Sequence, residues 1–101
     1  MKHAVKSIEE VKAILKEHKA EAVQKYRVRE IGIFGSFVRS EQREKSDVDI
    51  LVSFSGNLVV FKYMELEDYL KKLLHRKVDL VRKGAIRPEL KKRIIKEAVY
   101  V

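Results

Sequence analysis

The chain contains no cysteine. That excludes a disulfide framework, a thiolate metal site and a thiol nucleophile. No apolar run approaches the roughly 20 residues of a membrane span. The amino terminus, Met1-Lys2-His3, leads into a charged amphipathic segment with no apolar signal-peptide core. A cytoplasmic protein without membrane contact is therefore expected. Proline occurs once, at Pro88, and glycine four times. No linker, low-complexity segment or internal repeat is visible.

What is present fits one small folded domain. The 101 residues are 46% hydrophobic and 38% charged, enough for one core and too few for two, so a single domain over residues 1–101 is expected. The net charge of +8 is uneven: residues 1–50 hold 11 Lys and Arg against 9 Asp and Glu, whereas residues 51–101 hold 12 against 6. A basic bias of this kind suits a nucleic acid, an acidic protein partner or a triphosphate, or is simply a solvated surface.

The order of elements reads α-β-α-β-α-β-α. Ser7 with Glu10 forms a capping-box pattern, and Ile8, Val11, Leu15, His18 and Ala22 follow at helical spacing to about Tyr26. His18 on that face reads as a half-buried packing residue. Arg27 stands where a helix-ending glycine would be expected. Residues 29–34 form a strand, in which Gly32 marks the close approach of another element. Residues 36–41 are read as one or two helical turns and residues 41–46 as a polar loop. Residues 47–54 are the second strand. Helical spacing resumes from Leu58 through Val59, Tyr63, Leu66, Leu70 and Leu73, breaking near His75-Arg76. Residues 77–81 are the third strand, and Pro88 opens a last helix packed through Leu90, Ile94, Ile95 and Ala98. The fold class is α/β, a mixed sheet of at least three strands with about four helices.

The chemistry concentrates between Gly35 and Asp49. Gly35-Ser36 lies where a strand turns into a helix, so a phosphate can approach backbone N–H groups that no side chain shields. Asp47 and Asp49 lie two apart on a predicted strand, so both carboxylates share a face, roughly 7 Å apart along the strand, and can hold a divalent cation. Asp79 is the third aspartate predicted in a strand among apolar neighbours. A carboxylate there is costly to bury without a cation or a partner. Three such carboxylates can hold the metal ions of an in-line displacement, with Asp79 also receiving the proton of an attacking hydroxyl. The ordinary alternatives are a Ser-Asp turn at Ser46-Asp47 and a salt-bridge role for Asp79.

Gly35-Ser36, ten intervening residues, then Asp47-Val48-Asp49 resembles the signature of the nucleotidyltransferase superfamily that includes DNA polymerase beta and kanamycin nucleotidyltransferase. The fuller text, Phe34-Gly35-Ser36-Phe37-Val38-Arg39, Ser46-Asp47-Val48-Asp49-Ile50-Leu51-Val52 and Lys77-Val78-Asp79-Leu80-Val81, is similar to the minimal nucleotidyltransferase (MNT) family, which supplies the antitoxin of HEPN/MNT toxin–antitoxin pairs. The resemblance implies a mixed-sheet nucleotidyltransferase that binds ATP with magnesium and transfers AMP onto a tyrosine of the HEPN toxin, an RNase. It would give Gly35 and Ser36 to the β- and γ-phosphates, and Asp47, Asp49 and Asp79 to metal and catalysis. Arg39 would neutralise a phosphate, contact the partner or form a surface salt bridge. Ser40 and His75 depart from the family pattern, which favours glycine at both turns.

Larger nucleotidyltransferases carry a second domain for the acceptor, which these 101 residues leave no room for. The acceptor surface is then expected from another chain, with Lys91, Lys92, Arg93 and Lys96 of the last helix as a docking face for an acidic partner. The main alternative is a non-catalytic antitoxin that neutralises its partner by contact, with ATP structural or absent. A nucleic-acid binder is disfavoured, since there is no clear helix-turn-helix or set of aromatics for base stacking. A small-molecule-modifying enzyme lacks a pocket domain. Oligomeric state, a homo-oligomer included, stays open.

Overall fold

In a computed structural model, which describes residues 3–57 and 60–101, Ser7 adopts an extended conformation and its hydroxyl accepts the Glu10 N–H at 3.3 Å, starting helix α1 at Ile8–Tyr26. Glu10 reaches back as expected of a capping box, but to the Lys6 N–H (3.2 Å) rather than to the capping residue itself. Arg27 ends the helix in the left-handed region (φ 58°) and donates its N–H to the last carbonyls, a glycine's task carried out by a bulky residue.

Strand β1 (Val28–Phe34) follows, then a single 3-10 turn at Gly35–Phe37, strand β2 (Val48–Phe54), helix α2 (Val60–Leu74), strand β3 (Val78–Arg82), a second 3-10 turn at Lys83–Ala85, helix α3 (Pro88–Glu97) and a short strand β4 (Val99–Tyr100). The sheet order is β3-β2-β1-β4, with β2 and β3 parallel and the other pairs antiparallel. One expectation is corrected. Residues 36–41 form no helix beyond the 3-10 turn, so the described residues hold three α-helices and not four. The segment offers only Phe37 and Val38 to the core, too few apolar positions for an amphipathic helix. The sheet of at least three strands is borne out with four, the short β4 being one that the sequence reading did not single out. The predicted helical positions Leu58 and Val59 lie outside the described residues.

The two faces of the sheet are covered unequally. On one face Ile31, Ile33, Val48, Ile50, Val52 and Leu80 pack against Val11 and Leu15 of α1 and Leu66, Leu70 and Leu74 of α2, all nearly inaccessible. On the other, Phe34 and Leu51 meet Ile94 of α3. Of the expected packing residues of α3, Ile94 is buried, Ile95 and Ala98 are half-buried, and Leu90 is exposed. Gly32 bears out its reading: a Cβ there would lie 3.1 Å from the Tyr100 ring and 3.2 Å from the Val99 carbonyl, so β4 approaches more closely than a side chain there would comfortably allow. His18 is half-buried, edge-on to the Tyr69 ring at 6.2 Å, as expected of a packing residue.

Candidate active site

Strand register brings the predicted site residues to one end of the thinly covered face. The antiparallel pairing sets Phe34, the last residue of β1, opposite Asp49, and the parallel pairing sets Asp49 beside Asp79. Val48 and Ile50 point into the helical core, so Asp49 points the other way, and Asp79 does the same between buried Val78 and Leu80. Asp47 lies one residue ahead of β2 and is exposed, not within the strand as expected. Gly35 turns the chain over Asp49 at φ +80°, and a Cβ on it would sit 1.9 Å from Asp49 Oδ2. Glycine is required on both counts, backbone conformation and space.

Burial first, then the charges of the neighbouring Asp79 and Asp47 carboxylates, raise the Asp49 pKa to about 6, partly opposed by Arg39. Among the described residues no three His, Asp or Glu side chains already form a metal-binding cluster. The aspartates nevertheless suit a divalent cation. They are hard oxygen donors whose mutual repulsion already loads Asp49, the condition that a cation held among them relieves.

Arg39 lies at the rim, 47% exposed, and is held from two sides: Nε donates to Glu41 Oε1 and Nη1 to Glu97 Oε1, both at 2.6 Å. Glu41 first, with Glu97 beside it, keeps the guanidinium pKa above its ordinary value. The same Glu97 oxygen accepts the Gly35 N–H at 3.0 Å. Among the described residues, Ser36 donates neither its N–H nor its hydroxyl to any protein group, which leaves both for a ligand.

Two residues at the site were not singled out from the sequence. Glu97 arrives from the last turn of α3, and nothing in Ile-Ile-Lys-Glu distinguishes it from an ordinary surface glutamate. Arg76 organises the loop leading to Asp47. Its Nη1 donates to the carbonyls of Arg43, Glu44 and Ser46 (3.1, 2.9 and 2.9 Å) and its Nε to that of Val5 (3.0 Å). Its guanidinium also stands 5.3 Å from the centre of the Phe37 ring. An arginine next to a predicted helix break was the available signal.

A glycine turn over paired strand aspartates, on a mixed sheet backed by helices, defines a nucleotidyl- or phosphoryl-transfer class of protein. The chain belongs to the nucleotidyltransferase domain family, which it matches over residues 15–101. It is 47% identical over 98 residues to the protein adenylyltransferase MntA of Thermococcus cleftensis, covering 97% of this chain and 99% of that one. A solved structure provisionally described as a minimal nucleotidyltransferase superposes with a TM-score of 0.82 at 27% identity, covering 96% of this chain and 98% of that one. The antitoxin fold in a complex of a tri-AMPylated Shewanella oneidensis HEPN toxin with its MNT antitoxin gives a TM-score of 0.63 at 20% identity, covering 89% of this chain and 70% of that one. Like the other members named adenylyltransferases, this is a nucleotide-transferring enzyme.

Proposed function

We propose that the protein, acting as a single minimal nucleotidyltransferase domain in the cytoplasm, transfers AMP from ATP to a tyrosine of a HEPN-type toxin and so serves as its antitoxin. The observation that carries the reading is the pairing of Asp49 with Asp79 beneath the Gly35 turn. Asp47, Asp49 and Asp79 would hold magnesium, which supplies charge neutralisation at the phosphates when bound. Ser36, through its free N–H and hydroxyl, would bind the β- and γ-phosphates at the turn made by Gly35, and Arg39 would offset their charge. Asp79, exposed at the sheet edge, would take the proton of the acceptor hydroxyl as its oxygen bonds to the α-phosphorus and the bond to the β-phosphate breaks, releasing pyrophosphate. A protein acceptor is supported by Val60, Phe61 and Met64 of α2, which are 66%, 74% and 57% exposed, more apolar surface than a helix without a partner needs to leave in water. Among the described residues, no helix is long and apolar enough to cross a membrane.

The test is intact mass spectrometry of this chain with a HEPN protein, ATP and magnesium. Gain of AMP units by the partner, lost in the Asp47→Asn/Asp49→Asn double variant, is the expected outcome. A stable complex that neutralises the toxin with no mass change would instead favour neutralisation by contact alone.

A further inference from the structure

Glu97, like Glu41, is a carboxylate at the site that the family reading leaves without a role, and of the two only Glu97 also binds the Gly35 turn in the described contacts. It is also the more secluded member of its ion pair, its side chain 15% exposed against 47% for Arg39. One oxygen, Oε1, accepts both the Gly35 N–H and Arg39 Nη1, joining the phosphate turn to the rim arginine across more than 55 residues of chain. Packing and strand pairing support it from behind. Glu97 closes α3, which packs through Ile94 on Phe34 and Leu51, and the next residues pair with β1 through Val99 and Tyr100.

A guanidinium presents five N–H donors in a planar fork. Nε is taken by Glu41 and one Nη1 proton by Glu97, which fixes the plane and leaves the Nη2 edge uncommitted among the described contacts. The Arg39 charge also reaches the acid cluster, where it opposes part of the rise in the Asp49 pKa. An unpinned arginine, half-exposed on a flexible stem, would lose that orientation to rotamer freedom. Because the Gly35 N–H is spent on Glu97, the turn faces a ligand with Ser36 rather than with the glycine amide.

We propose that Glu97 is a positioning residue of the nucleotide site: it holds Arg39 and the Gly35 turn in one arrangement, so that the guanidinium and the Ser36 donors meet the phosphates of a nucleoside triphosphate together. This rests on the nucleotidyltransferase reading above and extends it to a residue of the last helix.

The experiment is a double-variant cycle on the full chain, with the affinity for ATP and magnesium measured by calorimetry in wild type, Glu97→Gln, Arg39→Ala and the pair. Glutamine keeps the acceptor for the Gly35 N–H and the side-chain volume while removing the charge that pins Arg39. ATP binding is expected to weaken about tenfold in Glu97→Gln, the scale of one lost charge-assisted hydrogen bond. The loss should be similar in Arg39→Ala and no greater in the pair, because Glu97 acts through Arg39. Thermal melts of all four proteins check that folding is retained. Additive losses would mean an independent structural role, and tighter binding in Glu97→Gln would mean that Glu97 competes with phosphate; either result, or unchanged affinity, overturns the proposal. A wild-type chain that fails to bind ATP at all would overturn the nucleotidyltransferase reading, and this inference with it.

Discussion

Asp49 gives this molecule a pH dependence that can be assigned to one side chain. Its folded-state pKa, about 6, lies above the ordinary 3.8. The folded protein therefore holds a proton that the unfolded chain has released between those values. Stability contributed by the protonated form is complete below about pH 4 and is lost as pH rises through about 6. Discounted for the solvent that reaches this half-buried group, the loss is roughly 1 kcal/mol. Urea denaturation of the metal-free protein between pH 4 and 7.5 should show that decline, and Asp49→Asn should flatten it while abolishing AMP transfer. The decline persisting unchanged in Asp49→Asn would assign it to another group. Asp49 and Asp79 were legible in the sequence because a carboxylate among strand-forming apolar residues is anomalous. Glu97 was not, because a glutamate on a charged helix is ordinary until its partners are known.

Turns decide the length of the elements. Arg27, Ser40 and His75 are the three non-glycine residues with positive φ among those described, at 58°, 57° and 53°. Each occupies a position where the sequence suggested that glycine would suit. The left-handed conformation crowds the Cβ of an L-residue, and glycine escapes that cost. His75→Gly, just past the end of α2, is expected to stabilise the fold by about 0.5–1 kcal/mol in urea denaturation, the steric relief being partly offset by glycine's freer unfolded chain. A net loss would show that the His75 side chain supports its surroundings. The same physics explains the errors in reading the elements. Between Gly35 and Asp47 the chain is shaped by two positive-φ residues and by the carbonyls that Arg76 gathers, not by apolar periodicity, so a helix was expected where one 3-10 turn exists. Strand β4 is two residues long, too short for alternation to register, and lies close against Gly32 in a distant strand.

At the scale of the whole molecule, the last helix carries a basic face. α3 turns Ile94 to the sheet and leaves Lys91, Lys92, Arg93 and Lys96 exposed, with no ion pair to any of them among the described residues. Replacing all four by Glu is expected to weaken binding to an acidic partner by more than about tenfold, with most of the effect removed by high salt. Calorimetric titration of the complex at two salt concentrations checks this, and affinity unaffected by the reversal would remove α3 from the docking surface. The sequence by itself determined the α/β class and most of the helical packing positions, and it singled out Gly35-Ser36 and the three aspartates as candidates, because those follow from local periodicity and from residue types out of place in their neighbourhood. Only the tertiary structure decided that Asp49 pairs with Asp79 while Asp47 stands at the strand's edge, that the sheet closes on a fourth strand, and that Glu97 ties Gly35 to Arg39. Those facts depend on strand register and on contacts between segments far apart in the chain, which no local pattern of residues encodes.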